Sequence, residues 1–149
     1  MKRSPDTLWG KAEMGKYDAI TGFIPLIKAM KADEYYVMTG DVNNNAFRPS
    51  PVIDELIMAI IDFSNCMKES KDDFLWYKRV LEENGIDPKL SSLQEVDVSN
   101  LDAKCVLGMM NEAISRERFG EGTLLNYFTK GCFQRWLDRL EEINSNDEP

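Results

Sequence analysis

Histidine is absent from the 149 residues of this chain. That absence removes the imidazole general base, every Ser-His-Asp or Cys-His nucleophile system and most transition-metal sites. Any catalysis would have to run on carboxylates, lysine, tyrosine or cysteine. Cysteine is scarce as well: Cys66, Cys105 and Cys132 are widely spaced and form no CxxC pair. Without a CxxC or a histidine, structural zinc lacks its two commonest ligand arrangements. Each cysteine sits among apolar neighbours on a helical pattern, and the odd set reads as buried thiols in a reducing compartment.

Long apolar runs are also missing. The longest, Leu56 to Ile61, is far short of a membrane span. The opening Met1-Lys2-Arg3 is not followed by the apolar stretch of a signal peptide. The expected localisation is the cytoplasm. Cations are outnumbered, with 18 Lys and Arg against 26 Asp and Glu, for a net charge of −8. A nucleic-acid binder needs a basic face to displace phosphate counterions, and an anionic membrane surface asks for the same. The charge leaves open a protein partner with a basic surface.

What is present suffices for one core. Apolar residues make up 43% and charged residues 30%, a globular balance at a length that suits a single domain. The expected organisation is a flexible arm over 1–16, a helical domain over 17–144 and a disordered acidic tail over 145–149.

From Tyr17 the apolar residues Ile20, Phe23, Ile24, Ile27 and Met30 return at helical spacing. Pro25 lies inside this pattern, so the helix either kinks there or begins near Gly22 with Pro25 in its first turn. Tyr35 to Thr39 is β-prone and is followed by the turn formers Gly40 to Asn45, which predicts an extended or hairpin excursion over 35–49. Ser50-Pro51 reads as a helix start, with the serine as cap and the proline in the first position. Val52, Ile53, Leu56, Ile57, Ile60 and Ile61 then mark one helix face.

Asp72 or Asp73 is expected to cap a further helix burying Phe74, Tyr77, Val80 and Leu81, with Asn84-Gly85 ending it. Lys89 to Val98 reads as irregular with room for one helical turn. The spacing of Ser99 and Asp102 matches a capping box and predicts a helix over about 101–118, with Leu101, Cys105, Gly108 or Met109, and Ala113 facing inward. Gly120 and Gly122 break it, and two more helices follow, separated at Gly131. The fold class is all-α: a single compact domain of five to six short helices.

The most specific string is Arg116-Glu117-Arg118-Phe119-Gly120-Glu121-Gly122, followed by Gly131-Cys132-Phe133, Trp136-Leu137 and Arg139-Leu140. Here the chain resembles an uncharacterised prokaryotic family, catalogued as domain of unknown function 6508. That family's pattern is an Arg/Gln-x-Glu-Arg-Phe-x-x-Gly turn, a helix, a glycine and a last helix ending in Leu-x-Arg-Leu. Glu117, Arg118, Phe119, Gly122, Gly131, Leu137, Arg139 and Leu140 match it. Phe23-Ile24-Pro25 is similar to its Leu-Pro-containing first helix, whereas residues 35–50 align poorly. The resemblance implies an α-helical domain and implies no activity.

Two candidate surfaces emerge. In the first, Arg116, Glu117 and Arg118 with the amides near Gly120 and Gly122 form an anion or carboxylate site at the start of the next helix. Its bland counterpart is Arg118 paired internally with a nearby acid while Phe119 fills the core. In the second, Trp76, Tyr35 and Tyr36 are exposed aromatic anchors, with Trp76 at the rim of a groove. Core packing competes with that assignment. Asp41-Val42-Asn43-Asn44-Asn45 resembles half a calcium loop, but Ala46 stands where glycine is required and Val52 where a bidentate glutamate is required. No metal or cofactor is expected.

By elimination, the expected function is a non-catalytic, acidic protein-interaction domain acting on a basic partner, in one form an inhibitor or nucleic-acid mimic. Self-association through the Val52 to Ile61 stripe is a further option. The alternative is a small ligand-binding protein or enzyme with an interhelical cleft centred on Arg118.

Overall fold

The computed structural model describes residues 16–39, 46–87, 90–116 and 123–145. Residues 1–15, 40–45, 88–89, 117–122 and 146–149 lie outside the described residues, and with them most of the expected flexible arm, the asparagine-rich stretch, the Glu117 to Gly122 string and the expected acidic tail. The described chain is mostly helical, an all-α domain carrying one small hairpin.

The first helical pattern resolves into α1 (Asp18–Thr21) and α2 (Ile24–Lys28). Pro25 occupies the first turn of α2, where its missing N–H costs no internal hydrogen bond. Ile20 and Ile27 are fully buried. The far end of the domain closes over α1: Tyr17 N donates to Asn144 Oδ1 at 3.1 Å, and Asn144 Nδ2 donates to Asp18 Oδ1 at 2.6 Å.

The excursion is a two-stranded antiparallel hairpin, β1 (Tyr36–Thr39) with β2 (Ala46–Pro49), in the register Tyr36↔Pro49 to Thr39↔Ala46. Ser50 N donates to Tyr35 O at 2.8 Å, so the ladder runs on to the edge of the next helix. That helix, α3 (Pro51–Ser64), begins as its sequence dictates: the Ser50 hydroxyl accepts from Ile53 N at 3.4 Å, and Pro51 sits in the first turn. Ile53, Leu56, Ile60 and Ser64 form its buried row. Cys66 follows in a single 3-10 turn, Asn65–Met67. Two residues beyond Ser64 it falls on the opposite face, so it is exposed, contrary to the expected burial.

After α4 (Trp76–Glu83), Ile86 N donates to Leu81 O at 2.9 Å and Gly85 N to Glu82 O at 3.0 Å. This double closure needs a left-handed residue, and Gly85 supplies it with φ +69°. A short α5 (Leu90–Glu95) precedes α6 (Ala103–Arg116). Asp102, not Ser99, caps α6: its Oδ1 accepts from Cys105 N at 2.9 Å. Ser99 is diverted into a local turn, donating from both N and Oγ to Asp97 Oδ1 at 3.0 and 2.7 Å.

The expected one-sided α6 is instead buried all round from Cys105 to Met110, because α3, α4, α7 (Thr123–Thr129) and α8 (Cys132–Ser145) pack about it. Phe128 stacks on Phe133 at 4.5 Å, and Trp136 packs on Phe133 and Tyr127. No helix among the described residues is long and apolar enough to cross a membrane.

Candidate functional site

Phe74, Leu75, Trp76 and Tyr77 are consecutive, and the way the helix phases them decides what the surface displays. The helix starts at Trp76 and not at Asp72 or Asp73. Trp76 is 2% exposed, with Val80 and Leu81 buried beside it, so the expected exposed anchor is a core residue. Phe74 and Leu75, which precede the helix, are 64% and 56% exposed. The expected burial of Phe74 is therefore reversed: outside the first turn its direction is set by the loop, not by helical spacing.

The loop before α4 is tied at Asp73. Its carboxylate accepts from Glu69 N at 3.0 Å and from both terminal nitrogens of Arg79 at 2.8 Å. The backbone adds Asp73 N to Ser70 O at 3.1 Å and Phe74 N to Asp72 O at 2.9 Å. The guanidinium and the Glu69 amide hold the Asp73 carboxyl well below the usual carboxylate range. Asp73 thus orders the loop that presents Phe74 and Leu75.

These two residues border a groove of about 440 Å³ between α3, α4 and α6. Ile61, Trp76, Tyr77 and Ile114 supply its other apolar surface; Ser64, Asn65, Asn111 and Ser115 supply neutral polar atoms. Asn111 Nδ2 donates to the buried Ser64 hydroxyl at 2.7 Å and to Leu107 O at 2.8 Å, which fixes that wall. Lys68 is the charged lining residue, its ammonium 5.0 Å from the centre of the Phe74 ring. No Asp or Glu is among the described residues lining the groove.

Beneath the same helices lies an ion cluster that periodicity alone does not announce. Glu112 is 1% exposed; its Oε1 accepts from Lys78 Nζ at 2.8 Å and its Oε2 meets Arg116 Nε at 2.9 Å. A buried carboxylate is tolerable when two cations compensate its charge, here with a hydrogen bond from Lys78. The signal available in the sequence is an acid on a helix of apolar neighbours, with arginine four residues on.

A second, more open depression of about 500 Å³ lies between α1, α2 and α8. Its acids are already engaged: Asp138 by Lys28 at 3.5 Å, Asp18 by Asn144, and Glu141 by the Ser145 hydroxyl at 3.4 Å.

Of the residues singled out from the sequence, Arg116 ends α6 in the Glu112 cluster, while Glu117, Arg118, Gly120 and Gly122 lie outside the described residues. Tyr35 and Tyr36 are buried, not exposed. The Tyr35 ring packs on Phe128, and its hydroxyl accepts from Gln134 Nε2 at 2.9 Å. The hairpin root is therefore attached to α7 and α8 through Tyr35. Leu75, Lys68 and Glu112 are the residues the sequence patterns did not select, and Phe74 was assigned to the core instead of the surface. Burial also pushes the Tyr127 phenol and the Cys105 thiol up to about 12, and raises the Cys132 thiol, away from reactivity near neutral pH.

No curated protein and no solved structure matches the chain. A family model matches residues 13–146, which spans every described element and includes the Arg116 to Gly122 string. The chain belongs to the family of unknown function DUF6508.

Proposed function

We propose that the chain is a non-catalytic protein-interaction domain whose contact surface is the groove between α3, α4 and α6, with Phe74 and Leu75 as its anchors. The observation that carries this reading is the pair itself: two adjacent large apolar side chains held in water by a loop tied down at Asp73. Leu26 and Met58 are also exposed, but neither has an exposed large apolar neighbour in sequence. Isolated apolar residues are ordinary on a surface, whereas contiguous ones beside a groove suit association. A loop ordered before binding loses little further entropy on contact.

Three buried groups of the interior lend no support to a catalytic role. Cys105, Cys132 and Tyr127, members of the short list of nucleophiles and proton donors available without histidine, are buried and shifted away from neutrality. A nucleic-acid mimic would present carboxylates as a run. Beside the groove Glu69 and Asp73 are engaged by Arg79, so that form draws no support there.

A photo-crosslinking amino acid in place of Leu75, with a control in place of Leu26, tests the reading in cells. A discrete protein adduct from position 75, absent from position 26 and abolished by Phe74→Ser, is the expected result. Equal labelling at both positions, or adducts indifferent to Phe74→Ser, would remove the groove as the contact surface.

A further inference from the structure

The chemistry of the groove narrows what occupies it, on the reading that the groove is the interaction site. We infer that the occupant is an acidic-apolar segment of a partner protein, with one or two large apolar side chains covering Phe74 and Leu75 and a carboxylate meeting Lys68. The argument is charge complementarity. On a chain with a net charge of −8, the groove is lined by a lysine and by no carboxylate among the described residues. The adjoining depression shares Asn65 and Lys68 and adds Lys71, Ser70 and Glu69. Glu69 lies 3.7 Å from Arg79, so the cations of this surface outweigh its acid.

The acids nearby point the same way. Asp73 is gripped by Arg79, and Glu112 faces Lys78 and Arg116. Asp72 is exposed on the loop and is not a lining residue. Lys78 lies 5.5 Å over the Tyr77 ring while its ammonium holds Glu112. Lys68 is placed differently: its ammonium lies over the exposed Phe74 ring, beside the surface an apolar anchor would cover. A carboxylate next to that anchor reaches the ammonium as the ring is desolvated, where an ion pair gains strength. A basic segment would set like charges together at Lys68. A second copy of this chain would bring −8 against −8.

Short random peptides displayed on phage and selected against the immobilised full chain provide the test. The enriched peptides are expected to share a large apolar residue beside Asp or Glu. They should bind Lys68→Glu about tenfold more weakly and Phe74→Ser about thirtyfold more weakly. Both positions are on the surface, so circular dichroism should show each variant folded. Peptides that depend on Phe74 but carry Lys or Arg, or that ignore Lys68→Glu, overturn this inference and leave the groove as a contact surface. Peptides indifferent to Phe74→Ser count against both. Failure to enrich any peptide overturns the inference, and the crosslink at position 75 then decides the groove separately.

Discussion

Asp73 and Arg79 meet fork to fork, two hydrogen bonds of 2.8 Å joining one carboxylate to one guanidinium across the start of α4. The same carboxylate takes the Glu69 amide, so a single side chain joins the loop to the helix it precedes.

That arrangement has a pH signature. The folded-state pKa of Asp73 is depressed, so its stabilisation is fully present above the unfolded carboxylate value of about 3.9 and is lost as pH falls through the lower folded value. Asp73→Asn should speed amide hydrogen exchange in the loop around Phe74 at neutral pH, with little change in overall stability. The wild-type loop should show the same loosening only in strong acid. Exchange measured across a pH series by NMR checks both statements.

Trp76 and Phe74 should separate stability from binding. Trp76→Ala removes a buried indole and should cost about 3–5 kcal/mol of unfolding free energy. Phe74→Ala, at an exposed site, should stay within about 0.5 kcal/mol. Urea denaturation of both variants gives the comparison, and similar losses would mean that the Phe74 side chain packs more closely than its exposure indicates.

Glu112 has two cations, and the second should mask the loss of the first. Lys78→Met or Arg116→Met alone leaves the buried carboxylate one partner. The double variant strands it, and should cost about 3–5 kcal/mol, more than the sum of the singles. Glu112→Met should cost less than the double variant, because Lys78 and Arg116 are partly exposed and can turn to water. A double-mutant cycle by chemical denaturation reads the coupling directly.

Two glycines should respond with opposite signs. Gly131 joins α7 to α8 at φ +78°, and Gly131→Ala should destabilise by about 1–2 kcal/mol through backbone strain, although an added Cβ would meet only Arg135 Nη1 at an ordinary 3.8 Å. Gly108 lies within α6, where an added Cβ would sit 3.6 Å from Tyr77 O and 3.8 Å from Leu81 Cδ2, ordinary contact distances. Gly108→Ala should therefore stabilise by up to about 1 kcal/mol through helix propensity. Thermal melts of the two variants suffice.

The elements legible in the sequence were those with chemistry at their ends: the Ser50-Pro51 start, the Gly85 stop and the Gly131 break all act through local backbone geometry. Ser99 misled because Asp97, two residues earlier, competes for the same donors. The candidate site was less legible for a related reason. Four consecutive bulky residues, Phe74 to Tyr77, carry no phase, and the Asp73 to Arg79 bond that ties the loop to the helix starting at Trp76 spans six positions. Tyr35 required knowledge of α7 and α8, nearly a hundred residues away, whose Phe128 and Gln134 meet it at the hairpin root.

The clasp of Asn144 on Tyr17 and Asp18 also joins the first described helix to the last. A four-residue helix such as α1 has no stability of its own, and these partners lie up to 127 positions further along the chain. The packing partners of α1 come from both α3, where the Tyr17 ring meets Phe63 at 5.3 Å, and α8. Fraying at the end of α8 is therefore felt at α1, and the two ends of the described chain share one local stability.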